Sequence, residues 1–171
     1  MVVMGIDPGT AITGYGLVEE KAGELVFITC GTITTSAGQP MPERLVAIHG
    51  GVTELIDQYH PQAVAVEQLF FSRNVRTALA VGQARGVVLL AAAHRSVPVS
   101  EYTPLQVKQA VVGYGRAEKA QVQEMVRLLL GLDSIPRPDD AADAVAVAVC
   151  HIHSARLQEL LAGHESTGDE P

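Results

Sequence analysis

Three runs of strand-forming residues, parted only by tight turns, open this chain and leave few folds available to it. Val2 to Asp7, Ile12 to Glu19 and Leu25 to Thr34 alternate as half-buried strands do, and Pro8-Gly9-Thr10 and Lys21-Ala22-Gly23 supply the turn formers between them. Connections this short make the three a meander of antiparallel strands. The period then changes. Pro42 to Tyr59 sets Leu45, Ile48, Val52, Leu55 and Ile56 at helical spacing, and Pro61 to Glu67 is a short apolar strand ending in a carboxylate. Val75 to His94 reads as a helix rich in Ala and Gly and apolar on nearly every side, to be buried by the core, by another subunit or by both. A strand over Val97 to Tyr102 follows, then a helix from Thr103-Pro104 to about Val112 and a turn at Gly113-Tyr114-Gly115. Helices over Ala117 to Leu130 and roughly Asp139 to Leu161 complete the chain. The order specifies an α/β fold: a mixed five-stranded sheet, an antiparallel meander followed by parallel strands, with helices on both faces.

With 171 residues, 47% of them hydrophobic, the chain suffices for one core, so a single domain is expected over residues 1–163. The short acidic segment 164–171 is expected to be disordered. The longest unbroken apolar stretch, Val87 to Ala93, falls well short of the roughly 20 residues that cross a bilayer, and no membrane partner is expected. Met1 to Ile6 leads directly into a strand pattern without the basic region of a secretory signal. Cys30 and Cys150 lack metal-ligand spacing and suit reduced, buried thiols, so the expected location is the cytoplasm. The net charge of -7 argues against a nucleic-acid partner until its distribution is considered. Nine of the twelve basic residues lie between Leu69 and Pro138 against four acidic ones, a local balance of +5 that leaves -12 for the rest. That asymmetry is compatible with a basic surface beside an acidic site, and equally with an ordinary solvated mixture of charges.

Four carboxylates stand where ordinary folding gives incomplete reasons for them. Asp7 closes an apolar strand at the rim where open sheets carry their sites, although Asp before Pro-Gly also starts turns. Glu67 closes Ala63-Val64-Ala65-Val66 in the same way, with no turn to form. Asp140 and Asp143 are three apart at the head of the last helix and so share a face. Helix capping accounts for Asp139 and Asp140. It does not account for Asp143, which lies among Ala and Val with no basic residue one turn away, so metal ligation is the favoured reading there. Carboxylates gathered in one place repel unless cations join them, and hard oxygen donors select Mg²⁺ or Mn²⁺ over zinc. Two such ions clamp an in-line phosphoryl displacement, which is phosphodiesterase chemistry.

Gly5-Ile6-Asp7-Pro8-Gly9-Thr10, Thr13-Gly14-Tyr15-Gly16, Glu67-Gln68, Gly82-Gln83-Ala84-Arg85-Gly86, Gly113 to Val122 and Asp140-Ala141-Ala142-Asp143, in that order, resemble the RuvC family of bacterial Holliday junction resolvases, which has an RNase H-like fold. The resemblance spans roughly Val2 to Ala155. It implies that Asp7, Glu67, Asp140 and Asp143 are catalytic carboxylates holding two Mg²⁺ ions, with Mn²⁺ as a substitute, though Asp139 could compete with Asp140. It implies a homodimer that nicks a four-way DNA junction symmetrically, leaving 5′-phosphate and 3′-hydroxyl ends, and that cooperates with the RuvA and RuvB branch-migration proteins. The helix over Val75 to His94 becomes the candidate dimer contact. Phe70 matches the family's stacking wedge, Lys108 and Lys119 match basic positions near its active site, and Arg73, Arg76 and Arg116 are candidate backbone contacts. His151 and His153, two apart on a helix, face different ways and read as structural. Two rivals remain: a junction-binding module without catalysis, and a nucleotide-binding domain like those of actin-like ATPases and sugar kinases, for which the chain lacks room for a second lobe.

Overall fold

The N-terminal alternation becomes β1 (Val2–Asp7), β2 (Ile12–Lys21) and β3 (Glu24–Thr34) in a computed structural model that describes residues 1–68 and 75–165. The helical spacing that follows becomes α1 (Met41–Tyr59), which returns the chain to β4 (Ala63–Glu67). After them come α2 (Val75–His94), β5 (Val99–Tyr102), α3 (Pro104–Val112), α4 (Lys119–Leu129) and α5 (Asp139–Glu165). The five strands form one sheet in the order β3-β2-β1-β4-β5. β1, β2 and β3 pair antiparallel, whereas β4 joins β1 and β5 joins β4 in parallel. The expected mixed α/β sheet is therefore present, with β1 at its centre.

Alternation sorts the side chains into two cores. Met4, Ile6, Leu17, Val64 and Val66 point to one face, where Ile48, Val52 and Ile56 of α1 and Ala84, Val88, Ala91 and Ala92 of α2 cover them. Val3, Val18 and Ala65 point to the other and are covered by Val145 to Ile152 of α5, with Val107, Val111, Val122 and Val126 of α3 and α4 packed beside them. Burial of this kind contributes about 25 cal/mol per Å² of apolar surface.

Several boundaries differ from expectation for local reasons. β5 starts at Val99 because the Val97 N–H still bonds to Ala92 at the end of α2. Thr103 caps α3 through the Gln106 N–H while the Gln106 side chain answers it, and Gly113 ends that helix in the left-handed conformation at φ 78°. α4 begins at Lys119 rather than Ala117, because Glu118 forms the capping box with Gln121. α5 runs to Glu165, which places residues 164 and 165 in a helix instead of the expected disordered tail; residues 166–171 lie outside the described ones.

α2 gives one side to the core and leaves the other uncovered. Thr77–His94 is long and apolar enough by composition to cross a membrane, but Ala84, Val88, Ala91 and Ala92 build one face of it into the core. The opposite face is open: Val75 is 71%, Leu79 66% and Leu90 49% exposed, and a Cβ at Gly86 would meet nothing within 4 Å. Those positions fall on one stripe of the helix.

Candidate active site

β1 and β4 run parallel with Ile6 opposite Val66, so Asp7 and Glu67, one residue further on, end adjacent strands on the same face of the sheet. Neither carboxylate is there by chance of a loop; each is the last residue of a strand that the core holds. The two carboxyls share a hydrogen bond, which requires a proton on one of them. Burial, followed by the charge of Asp7 and of Asp143, pushes Glu67 up to about 8. Asp7 rises to about 6, again by burial first and by Asp143 and Asp140 next, while Glu67's hydrogen bond and Lys119 pull it down. Two carboxyls side by side in a half-enclosed site thus hold at least one proton at neutral pH.

The turn after Asp7 is fixed by Thr13, a fully buried residue whose hydroxyl donates to the Gly9 carbonyl at 2.7 Å and accepts the Gly9 N–H at 3.4 Å. Above this turn lies the head of α5. Gly14 is the cross-strand partner of Asp7 and Gly16 that of Gly5, so all four face α5. A Cβ on Gly14 would stand 2.0 Å from the Asp140 carbonyl oxygen, one on Gly5 2.0 Å from that of Ala144, and one on Gly16 2.8 Å from the Val145 Cα. Three glycines therefore let the helix backbone rest on the strand backbone, and Asp140 and Asp143 come down beside Asp7. Sequence reading quoted these glycines as motif letters without a role. The signal was present in the parity of positions 14 and 16, which places both on the face of the sheet that meets the last helix.

Asp143 has a partner that one-turn spacing could not reveal: Lys119, at the start of α4, donates to its carboxylate at 2.7 Å. Nor is Asp143 sealed in the core, since its side chain is 29% exposed. Burial raises its pKa and Lys119 opposes the rise. The pKa of Lys119 goes up in return: burial alone would lower it, but the Asp143 hydrogen bond and the charges of Asp143, Asp139 and Asp140 outweigh that. Asp139 turns outward, accepting from Arg137 at 2.6 Å with Lys119 at 3.6 Å. Beside the carboxylates a cleft of about 160 Å³ is lined by Glu67, Asp143, Lys108 and Lys119 over an apolar floor that includes Val107 and Val122.

The donors fit a hard divalent cation in their chemistry: four carboxylates, three of them with pKa raised first by burial and then by their neighbours' charge, and an ammonium drawn in among them. Among the described residues no three side chains already surround a single ion position, and Asp143 is paired with Lys119.

The other expected contacts fare unequally. Lys108 is half-buried in the cleft wall and Arg116 is exposed. Phe70 and Arg73, with Phe71, lie outside the described residues, as does the side chain of Arg76. Of the two readings of the charge asymmetry, the ordinary mixture accounts for several of the cations: Arg85 pairs with Glu101, Arg95 with Asp57, Arg127 with Glu124 and Arg137 with Asp139. His151 meets the Tyr102 hydroxyl at 2.9 Å and His153 the Ala110 carbonyl at 2.9 Å, structural roles both. Cys30 and Cys150 are free thiols, and burial pushes Cys150 up to about 11.

Comparison with known proteins places this geometry. A family model described as crossover junction endodeoxyribonuclease RuvC matches residues 3–151. The protein of that description from Syntrophomonas wolfei is 59% identical over 161 residues, covering 94% of each chain, and the one from Moorella thermoacetica is 62% identical over 151 residues, covering 88% of this chain and 90% of its own. Among solved structures, that of T. thermophilus RuvC in complex with Holliday junction substrate superposes with a TM-score of 0.88 at 45% identity, covering 92% of this chain and 96% of that one. The yeast mitochondrial Holliday junction resolvase Ydc2, at 14% identity and a TM-score of 0.67, shares the fold.

Proposed function

The chain belongs to the RuvC family of crossover junction endodeoxyribonucleases, and from that premise we propose that Asp7, Glu67, Asp140 and Asp143 are the carboxylates with which it binds metal and cuts DNA. Membership makes it a Holliday junction resolvase of recombination and repair, a nuclease that uses divalent metal. The observation that carries the site assignment is the meeting of Asp7 and Glu67, sixty residues apart in the chain, in one shared hydrogen bond beneath the head of α5.

Magnesium is the proposed ion, two per site, with Mn²⁺ able to replace it; when bound, the pair supplies Lewis-acid polarisation of the phosphate and charge to offset the leaving oxygen. The residues of the chain do the rest. Glu67 gives up its proton, Asp7 and Glu67 present oxygens from the sheet, and Asp140 and Asp143 present theirs from α5. Asp143 releases Lys119, whose ammonium turns to the scissile phosphate, and Lys108 across the cleft holds a second phosphate oxygen. Arg116, Arg73 and Arg76 are proposed to follow the DNA backbone and Phe70 to stack on an opened base. A water oxygen forms the new bond to phosphorus as the P–O3′ bond breaks and a proton passes to the departing 3′ oxygen, so the products are nicked duplexes with 5′-phosphate and 3′-hydroxyl ends.

A homodimer is proposed through the open stripe of α2, Val75, Leu79 and Leu90, whose apolar side chains a second copy would cover about a two-fold axis like that of the junction. Leu79→Glu is expected to yield a monomer in sedimentation that no longer cuts opposed strands in pairs; a dimer that persists would move the contact elsewhere. Cooperation with RuvA and RuvB and a cytoplasmic location are proposed from membership. The deciding experiment is cleavage of a mobile four-way junction with Mg²⁺, where symmetric nicks are expected. Equal cutting of plain duplex would refute the reading, and nucleotide turnover without cutting would favour the kinase-like rival.

A further inference from the structure

We infer that Gly14 is a positioning residue that tunes the carboxylate site to magnesium over larger divalent ions, by setting how closely Asp140 approaches Asp7. The inference rests on the metal-site reading above and extends it to a residue that touches no ion.

Gly14 and Asp7 are cross-strand partners, so the support beneath Asp140 and the sheet's own ligand are neighbours on one ladder. A methyl group at Gly14 would lie 2.0 Å from the Asp140 carbonyl oxygen and 2.5 Å from its carbon, and ordinary contact begins at 3.4 Å. The obstacle is helix backbone, which has no rotamer to escape into. One turn further along, Gly5 lies under Ala144 and Gly16 under Val145, and these hold the helix down. A methyl at position 14 therefore tilts the first turn of α5 away from the sheet and carries Asp140 away from Asp7.

The consequence differs between ions. Mg²⁺ takes oxygen ligands at about 2.0 to 2.1 Å in near-ideal octahedral geometry, whereas Ca²⁺ accepts six to eight at about 2.3 to 2.6 Å in flexible geometry. A wall displaced by more than the difference between those bond lengths disables the smaller ion and leaves the larger one ligands within reach.

Thermal melts of the full chain across Mg²⁺ and Ca²⁺ titrations test this without any cleavage, because an ion that binds only the folded state raises the melting temperature according to its Kd. Gly14→Ala is expected to weaken Mg²⁺ by about tenfold or more and Ca²⁺ by less than about threefold. Gly51→Ala, whose methyl would press on the flexible Ile33 side chain at 2.9 Å on the other face, is expected to leave both affinities unchanged. Equal loss for the two ions, or no loss for either, overturns the inference. If Gly14→Ala does not fold, Gly16→Ala carries the comparison, with a smaller shift in the same direction expected and equal losses again refuting it. A wild-type chain that neither ion stabilises overturns the metal-site reading itself, and this inference with it.

Discussion

The two faces of the sheet are built on opposite plans. On the α1 and α2 face, Met4, Ile6, Leu17, Val64 and Val66 interdigitate with Ile48, Val52, Ile56 and Val88, and helix and sheet are held apart by the bulk of their side chains. On the α5 face, Gly5, Gly14 and Gly16 meet backbone at Asp140, Ala144 and Val145, and there is almost nothing between helix and strand. Bulky packing gains apolar burial and tolerates modest change in shape. Backbone contact gains little burial but fixes a distance, and Asp7, Glu67, Asp140 and Asp143 all lie where that distance matters. Both sides of β1 carry a buried core, but only the α5 side adds the backbone contacts beside which the four carboxylates lie.

If that division is right, substitutions on the two faces should fail differently. The largest effect is expected from Asp7→Asn or Asp143→Asn, which should reduce junction cleavage by on the order of 10³-fold or more while gel shifts show junction binding largely retained. An Asp143→Asn protein that cuts within about tenfold of wild type would reduce Asp143 to an ion-pair partner of Lys119. Next comes the opposite face. Ile48→Ala empties a fully buried site and should cost about 2 to 5 kcal/mol in denaturant unfolding, yet cutting per folded molecule below its melting point should stay within about twofold of wild type. Lost catalysis in that stable fraction would show the faces to be coupled.

The sequence made one half of this contrast plain and hid much of the other. Asp7 and Glu67 were legible because a carboxylate closing an apolar strand has few structural reasons to exist, and parallel pairing of their strands put them together. Strand alternation likewise announced the bulky face. The pairing of Lys119 with Asp143 spans 24 residues and two helices, so only tertiary packing produces it, and the sequence reading had left Asp143 without a partner. For α2 the sequence left open burial by the core, by another subunit or by both, because an all-apolar helix carries no period to say which side meets the core; its open stripe depends on where the sheet lies. The cation count left two readings open for a similar reason. Composition cannot tell that Arg85 is spent on Glu101 and Arg95 on Asp57.

A pH series separates the faces more gently. Glu67 at about 8 and Asp7 at about 6 both stand above their ordinary values of 4.5 and 3.8, so the folded metal-free chain binds protons more tightly than the unfolded one. Their contribution to stability is then fullest below about pH 4 and is lost as pH climbs through 6 and 8, the two titrating as a pair. Melting temperature without metal is therefore expected to decline from pH 6 to pH 8.5, and the protection given by Mg²⁺ to grow over the same interval, since the ion competes with those protons. A melting temperature rising with pH in metal-free buffer would show that the carboxyls do not share a proton. Ile48→Ala should shift the whole curve down without changing its slope.

The smallest expected effect concerns the rim of the α5 face. Arg137 and Asp139 form an ion pair with side chains 70% and 49% exposed, where solvent and salt screen most of the attraction, so Arg137→Ala should cost about 0.5 kcal/mol or less. Its value is as a probe of Asp139. That carboxylate stands beside Asp140 in sequence but is drawn outward by Arg137 at 2.6 Å and reaches Lys119 only at 3.6 Å. With Arg137 gone, Asp139 is free to compete for Lys119, and the Lys119 to Asp143 hydrogen bond would loosen. Junction cleavage should change by less than about threefold if Asp139 stays out of the site, since a screened surface charge shifts local energies by only a fraction of a kcal/mol. A fall matching that of an Asp140 variant would put Asp139 among the ligands, and the head of α5 would then carry three working carboxylates instead of two.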